Sequence, residues 1–269
     1  MRFPFLLLVF FFLFSLSISV AKPKLTLKSY ELVKTISVEI IDSIRKSRKV
    51  PKSLLPVRYA VKVYEVIYNS KHIDGSNIIA SGLYFVPVNP DSEVPLLSYH
   101  HGTLIKKERE IGFWREQNFC IGFATTGYAV ARPDYHGLGK GEGRHLYCHA
   151  ESESEAVLNM LRAVQELNEI YGYNVSNKLF LTGYSQGGHA TLAVQKKIQE
   201  QVVKEFQVIA SAPMSGPYNL DGMQEDIMNR AYSHPSYLPY LIYGYQDAYN
   251  LFDFVICRQN IFAIHKHDV

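Results

Sequence analysis

The pentapeptide Gly183-Tyr184-Ser185-Gln186-Gly187 constrains this chain most, because it has the form G-x-S-x-G and lies between a predicted strand and a predicted helix. Residues 178–182 form a short apolar run after a turn-forming Ser-Asn pair, as is typical of a buried strand. Residues 190–203 carry apolar side chains at helical spacing. A serine on such a turn has a strained backbone that exposes its hydroxyl, and flanking glycines let neighbouring backbone approach. The motif predicts that Ser185 is a nucleophile; a plain glycine-rich turn is the alternative.

The first 21 residues are predicted to be a secretory signal peptide. Arg2 precedes an almost unbroken apolar run over residues 5–18, and Ser19-Val20-Ala21 supplies small residues where a signal peptidase cleaves. The run is shorter than the roughly 20 residues that a membrane span needs, and an uncleaved anchor is the alternative. We therefore expect a secreted protein, extracellular or in the cell envelope, with no stable membrane span after cleavage.

The composition favours one globular domain and does not favour a nucleic-acid partner. Lys and Arg exceed Asp and Glu by 28 − 25 = 3, and no dense basic tract carries interleaved aromatic residues, so nucleic acid is not expected as a partner. Aromatic residues make up 13% of the chain, and the many tyrosines of its last third suit a surface that handles apolar ligands. Cleavage would leave 269 − 21 = 248 residues, enough for one sizeable core. The oligomeric state stays open.

Three cysteines, Cys120, Cys148 and Cys257, lie far apart and lack the spacing of a metal site. In an oxidising compartment, Cys120 and Cys148 are the favoured disulfide pair, and buried free thiols are the alternative. His145 and His149 flank Cys148, but no fourth ligand stands at a suitable spacing. No metal and no other cofactor are therefore expected.

The remaining pattern predicts an α/β sheet that is mostly parallel after an antiparallel start, with helices on both faces. The predicted strands cover residues 59–68, 78–86, 94–99, 128–132, 178–182 and 206–212, and a long amphipathic helix covers 151–171. Residues 26–49 are predicted to form an N-terminal helix or lead-in segment. Ligands bind beyond the carboxyl ends of the strands in such sheets. The loops expected to converge there are those at Gly102, Asp134, Ser185 and Ser215.

Four blocks of the sequence resemble the α/β-hydrolase superfamily, and within it the secretory lipase and esterase branch. They are His101-Gly102-Thr103 and the runs Pro133–Gly139, Gly183–Ala190 and Ser211–Tyr218. Their order and spacing match over residues 58–245 or so. The resemblance implies hydrolysis of a small ester or lipid substrate by a Ser-His-Asp triad, without a cofactor, under a cap inserted after the sixth strand.

The chemistry of such a site also assigns backbone donors. A serine hydroxyl becomes nucleophilic when a histidine accepts its proton and a carboxylate orients that histidine. The tetrahedral oxyanion then needs two fixed donors. We expect these to be the backbone N–H groups of Gln186, directly after the nucleophile, and of Thr103 in the third-strand loop. Gly102 lets that loop approach closely; a tight turn with a core histidine at His101 is the alternative.

Two residues near the motif are interpreted as structural. His189 lies four residues after Ser185 in the predicted helix, so its side chain points along that helix rather than at the hydroxyl. Asp134 lies at the rim of the sheet but precedes Ser185, whereas the resemblance places the triad acid after the serine. We therefore expect His189 to pack or form hydrogen bonds, and Asp134 to support the fold.

The triad acid and histidine are left unassigned. The resemblance places them on loops after the seventh and eighth strands, yet only 269 − 185 = 84 residues follow Ser185. Asp247 and Asp253 fit the chain order as acids, and His265 or His267 as bases. The plainer interpretation is an α/β-hydrolase chain that is truncated at its C-terminus, incomplete at the last strands and nearly inactive as it stands.

The expected organisation is a signal peptide at 1–21, a hydrolase core at 22–217, a partial cap at 218–253 and an unassigned tail at 254–269. The expected function is that of a secreted serine hydrolase that cleaves carboxylic esters. One alternative is a non-catalytic protein with the hydrolase fold. Another is a serine peptidase, because the motif does not distinguish esters from amides.

Overall fold

The structure is a computed structural model that describes residues 26–107, 116–201, 204–229 and 234–251. Its strands are β1 (Leu27–Ile36), β2 (Val61–Lys71), β3 (Asn77–Pro87), β4 (Val94–His100), β5 (Ala129–Pro133), β6 (Val175–Tyr184) and β7 (Gln207–Met214). Its helices are α1 (Val38–Ser47), α2 (Gln117–Thr125), α3 (Ala150–Tyr171), α4 (Gln186–Glu200), α5 (Leu220–Asn229) and α6 (Tyr237–Tyr249).

The strands form one seven-stranded sheet in the order β1-β2-β3-β5-β4-β6-β7. The pairs β1–β2, β2–β3 and β3–β5 are antiparallel, and the pairs β5–β4, β4–β6 and β6–β7 are parallel. Five of the seven strands therefore point the same way, with β1 and β3 reversed. The predicted mostly parallel sheet with an antiparallel start is confirmed.

Alternating side chains of the central strands enter two separate cores, one on each face of the sheet. Along β2, Val61 and Val63 belong to the core that α1 and α2 cover, whereas Tyr64, Val66 and Tyr68 belong to the core that α3 and α4 cover. This two-residue alternation follows from the pleat of a strand. The helices thus lie on both faces, as the sequence predicts.

The long helix α3 has clear signals at both ends. At its start, the side chain of His149 accepts a hydrogen bond from the backbone N–H of Ser152. At its end, Gly172 adopts a left-handed conformation with φ 66°, which suits a glycine after the last helical residue. Both signals agree with the predicted helix over 151–171.

The N-terminal region differs from the prediction of a helix or lead-in segment over 26–49. It contains the strand β1 followed by the short helix α1, which begins after Ser37. Almost every residue of β1 is exposed, and the strand lies at the edge of the sheet, next to β2. The backbone N–H groups of Thr26 and Leu27 donate to the carboxylate of Glu166 on α3, at 2.7 and 2.8 Å. Partners distant in sequence therefore hold this strand.

The predicted disulfide between Cys120 and Cys148 is wrong, and the alternative of buried free thiols is confirmed for both residues. Cys120 lies on α2 in the core beneath one face of the sheet, whereas Cys148 packs with Leu241 of α6 in a separate cluster. Two side chains in different cores cannot meet in a disulfide. Cys257 lies outside the described residues.

Two other predictions fall partly or wholly outside the described residues. Residues 1–25 include the predicted signal peptide, and residues 252–269 include the predicted tail. Within the part of the chain that the structure describes, no helix has both the length and the apolar character to cross a membrane. Helices α5 and α6 do form in the predicted cap region, and the proposed domain boundaries stay predictions.

Candidate active site

Ser185 lies on a sharp turn between the end of β6 and the start of α4. Its backbone has φ 57° and ψ −123°, a conformation that costs a residue other than glycine about 1–3 kcal/mol. Its N–H donates to the carbonyl of Met214 at 3.0 Å, and its carbonyl accepts from the N–H groups of Gly188 and His189. The side chain is half-buried and does not cap the helix. These backbone bonds hold the strained turn and leave the hydroxyl available.

Three glycines around this turn allow backbone to touch backbone. A Cβ atom on Gly187 would lie 1.9 Å from the carbonyl oxygen of His100, and one on Gly183 would lie 2.4 Å from the carbonyl oxygen of Gly187. A Cβ atom on Gly188 would lie 2.4 Å from the carbonyl oxygen of Met214. Real Cβ atoms do not approach this closely, so each position admits only glycine. The elbow is thus locked between β4 and β7.

The four loops that the sequence places at the carboxyl edge of the sheet do converge there. A Cβ atom on Gly102 would lie 3.8 Å from the Cβ of Ser185. The hydroxyl of Tyr135 donates to the carbonyl of His101 at 2.9 Å, which joins the loop after β5 to the loop after β4. The backbone nitrogen of Gly216, which follows β7, lies close to Gly188, as the carbonyl oxygen of Met214 does.

The loop that follows β4 is held by polar contacts on two sides. The N–H of Gly102 donates to both carboxylate oxygens of Glu116, at 3.1 and 3.0 Å. The hydroxyl of Thr103 lies 2.8 Å from that of Tyr147. On the other side of Ser185, Gln186 is the first residue of α4, where backbone N–H groups have no partner within the helix. The two expected oxyanion donors therefore come from neighbouring backbone segments.

His101 is a neutral core histidine. Its side chain is fully buried, its Nδ1 lies 2.7 Å from the carbonyl oxygen of Gly102, and its ring lies 4.3 Å from that of Tyr135. Burial lowers the pKa of His101 to about 3. The structure thus agrees with the alternative interpretation of this loop, in which His101 is a core histidine.

Asp134 lies in a buried polar cluster rather than beside the serine. Its carboxylate accepts from the hydroxyl of Ser81 at 2.7 Å and from the guanidinium of Arg132 at 3.3 Å. Its side chain is 1% exposed. These contacts join β3 to the end of β5 and agree with a structural role.

A polar network lies beneath the elbow and includes a buried carboxylate that the sequence analysis did not single out. The side-chain amide of Gln186 donates to Glu153 at 2.8 Å and lies 2.7 Å from Nε2 of His145. The other carboxylate oxygen of Glu153 lies 2.7 Å from Nδ1 of His189. Burial alone would lower the pKa of His189, but the hydrogen bond and the charge of Glu153 outweigh it and raise the pKa. His189 therefore forms an ion pair, in line with its predicted hydrogen-bonding role.

The imidazoles that flank Cys148 in sequence do not form a site with it. Nδ1 of His145 lies 3.1 Å from the carbonyl oxygen of His136, and its Nε2 contacts Gln186. The ring of His149 bonds to Ser152 and to the hydroxyl of Tyr249. The nitrogens of both rings therefore have partners other than the thiol of Cys148.

Of the candidates for the triad acid and histidine, only Asp247 lies in the described residues. Asp247 on α6 accepts from the guanidinium of Arg144, with both oxygens at 3.2 Å, so its partner is a surface arginine. No imidazole within residues 26–107, 116–201, 204–229 and 234–251 forms a hydrogen bond with the hydroxyl of Ser185. The other candidates, Asp253, His265 and His267, lie outside the described residues.

Comparisons with known proteins place the chain among hydrolases. The family model "Secretory lipase" matches residues 114–260, more than half of the chain. A crystal structure from Legionella pneumophila, whose assignment as a hydrolase is itself provisional, is 30% identical with a TM-score of 0.76, over 84% of this chain and 62% of that one. The ligand-bound rice cell wall degrading esterase LipA from Xanthomonas oryzae is 28% identical with a TM-score of 0.74, over 85% of this chain and 61% of that one.

These comparisons also limit what is transferred. The chain spans less than two thirds of the length of either solved structure. A search of curated proteins found no match.

Proposed function

Because the chain belongs to the secretory lipase family, we propose that it is a secreted serine hydrolase that cleaves carboxylic esters, with Ser185 as its nucleophile. The observation that carries the proposal is the turn at Ser185, where a strained backbone, three tightly packed glycines and an uncommitted hydroxyl occur together. A fold keeps such strain when the surrounding structure enforces it, and strain of this kind clusters at active sites. The strand-to-helix position is the one that this chemistry requires.

The backbone N–H groups of Thr103 and Gln186 are the proposed oxyanion donors. The support is proximity: a Cβ on Gly102, the residue before Thr103, would lie within 3.8 Å of the Cβ of Ser185, and Gln186 follows the serine directly at the start of a helix. Donors fixed before the reaction stabilise the developing charge without reorganisation, and one such donor is worth about 100- to 1000-fold in turnover. The chemistry proposed at Ser185 uses no cofactor.

The proposed substrate is an ester rather than an amide. The resemblance to LipA, a protein named as a cell wall degrading esterase, supports ester cleavage, and the family name supports a lipid or other small ester. The serine peptidase alternative shares the turn at Ser185 but has no further observation in its favour. No nucleic acid partner is proposed, because the net charge is only +3.

The test compares two proteins, residues 22–269 alone and residues 22–269 followed by any coding sequence downstream of codon 269. Both are assayed on short-chain aryl esters, each with its Ser185→Ala variant. We expect turnover by the longer protein and its loss by a factor on the order of 10⁴ or more in Ser185→Ala. The shorter protein should show only residual turnover, because no base is aligned with Ser185 in its described residues.

A matched control comes from Ser215, a second serine with positive φ (48°) on the neighbouring rim loop. Ser215→Ala should leave the turnover of the longer protein within a few-fold. Equal turnover by the parent and Ser185→Ala would contradict the proposal, and inactivity of both lengths would favour the non-catalytic alternative. Robust turnover by the shorter protein would place a base within its tail, which His265→Ala and His267→Ala would then identify.

A further inference from the structure

We propose that Cys148, Glu153 and His189 form a binding site for a zinc-type divalent metal ion beneath the elbow. The thiol sulfur, a carboxylate oxygen and an imidazole nitrogen all lie within 4.8 Å of one another. The three residues come from the loop before α3, the first turn of α3 and the first turn of α4. The proposed site neither includes Ser185 nor rests on the proposed esterase function.

The charges and burial of this cluster favour a cation. Glu153 is fully buried, as is Cys148, and His189 is only 13% exposed at its side chain. The Glu153 oxygen that does not bond to Gln186 lies 2.7 Å from Nδ1 of His189. A divalent ion would neutralise one thiolate and one carboxylate, which leaves no net charge in the buried site. Glu153 and His189 lie in the first turns of α3 and α4, so the positive ends of both helices favour the carboxylate ligand.

Contacts outside the cluster already orient the ligands. The side-chain amide of Gln186 donates to the second oxygen of Glu153 at 2.8 Å. The hydroxyl of Tyr245 donates to the carbonyl of Cys148 at 3.1 Å, and Cys148 has a left-handed backbone with φ 53°, unusual for a residue with a side chain. Outer contacts of this kind fix ligand geometry in metal sites. Two of the three ligands are thus held before any ion arrives.

The donor set selects the class of metal. A thiolate with an imidazole and a carboxylate suits zinc and cobalt, whereas magnesium and calcium prefer oxygen ligands alone. Binding displaces to solvent the thiol proton of Cys148 and the proton that His189 shares with Glu153. Three protein ligands leave the fourth position of a tetrahedral ion for water. The ion would join the starts of α3 and α4, one helical turn below Ser185, and so brace the base of the elbow.

The test is a titration of residues 22–269, purified without a polyhistidine tag, with cobalt(II) and then zinc(II). We expect one cobalt ion per chain, with the near-ultraviolet absorption of a thiolate-to-cobalt bond, and its loss when zinc displaces cobalt. Zinc should also raise the melting temperature of the wild-type chain. A wild-type chain without the thiolate absorption would overturn the proposal.

Variants locate the ion. Loss of an outer partner costs a metal site about 10- to 100-fold in affinity, so Cys148→Ser and His189→Gln should each weaken binding by about 100-fold or more. Cys120→Ser and Cys257→Ser, which remove the other thiols, should leave the absorption intact. Retention of the absorption in Cys148→Ser, or its loss in Cys257→Ser, would overturn the assignment. Because His189→Gln keeps every cysteine, it decides the question if Cys148→Ser does not fold.

Discussion

The elbow at Ser185 and the helix α6 differ in how closely backbone packs against backbone. At the elbow, backbone packs on backbone, and a single added carbon on Gly187 would lie 1.9 Å from a carbonyl oxygen. Helix α6 has one such close approach, at Gly244, where an added Cβ would lie 2.8 Å from the backbone nitrogen of Tyr147. Its other contacts are made by side chains, such as the hydroxyl of Tyr240 on the carbonyl of Leu104 at 3.0 Å. Most of its residues are exposed or half-buried. The turn around Ser185 therefore admits only glycine at three positions, whereas most positions of α6 other than Gly244 can vary one side chain at a time.

The largest loss of stability is expected from Gly187→Ala. The added methyl group cannot be accommodated, because the carbonyl of His100 belongs to the central strand β4, and we expect a loss of about 3 kcal/mol or more in unfolding free energy. Gly122→Ala, in the middle of α2, is the matched control: among the described residues its Cβ would meet only Leu55 Cδ1, at 3.6 Å. That change should instead stabilise the chain by about 0.5–1 kcal/mol. Chemical denaturation of both variants measures the contrast, and similar values would refute it.

The network beneath the elbow gives a smaller, pH-dependent effect. Glu153→Gln removes the charged partner of His189 and should cost about 1.5–3 kcal/mol at acidic pH, as expected for a hydrogen bond to a charged group. The pKa of His189 is raised in the folded state, so its stabilisation is fully present below the ordinary value of 6.5 and is lost as pH rises through the raised pKa. The difference in stability between wild type and Glu153→Gln should therefore shrink above neutral pH.

The buried histidines around this network titrate in the opposite sense. Burial lowers the pKa of His145 and of His149, so each destabilises the fold as pH falls. For this reason the measurement is the difference between wild type and Glu153→Gln across pH, in the presence of a chelator, rather than either curve alone. A difference that grows with pH would contradict the assigned ion pair.

The sequence predicted most of the elements for reasons that the structure makes plain. The strands that line Ser185 and the helices α3 and α4 have periodic apolar patterns because their apolar side chains pack into one of the two cores. Strand β1 was not predicted, because almost all of its side chains are exposed and its sequence therefore has little apolar periodicity. Its place depends on pairing with β2 and on Glu166, neither of which a local pattern can reveal.

The candidate site also contains residues that the sequence predicted and residues that it did not. The position of Ser185 was predictable because backbone approach demands glycine at fixed spacing around it. Glu153 was not, because a glutamate in a long helix normally faces water, and only the packing of α3 against α4 buries it completely. A signal was present: Glu153 lies among the small buried residues Ser152, Ser154 and Ala156, where a solvated face would carry longer polar side chains.

Tyr240→Phe tests how much a single side-chain contact of α6 contributes to stability. The variant loses the hydrogen bond to Leu104 but keeps the stacked contact with Tyr147, whose ring lies 4.8 Å away. We expect a loss of about 0.5–1.5 kcal/mol, the ordinary value of one neutral hydrogen bond. Tyr243→Phe on the exposed side of the same helix should change stability by less than about 0.5 kcal/mol. A larger loss for Tyr243→Phe than for Tyr240→Phe would show that α6 is held by another surface.

The smallest effect is expected from Arg144→Ala, which removes the ion pair with Asp247 on α6. The side chain of Arg144 is 74% exposed, so water screens the pair, although its two contacts of 3.2 Å are well formed. Exposed pairs contribute about 0.2–1 kcal/mol, and added salt weakens them further. Stability of Arg144→Ala, Asp247→Asn and the double variant, at low and high salt, isolates the pair from its surroundings. If the coupling approached the cost of Gly187→Ala, α6 would be fixed as firmly as the elbow, and the contrast between the two regions would fail.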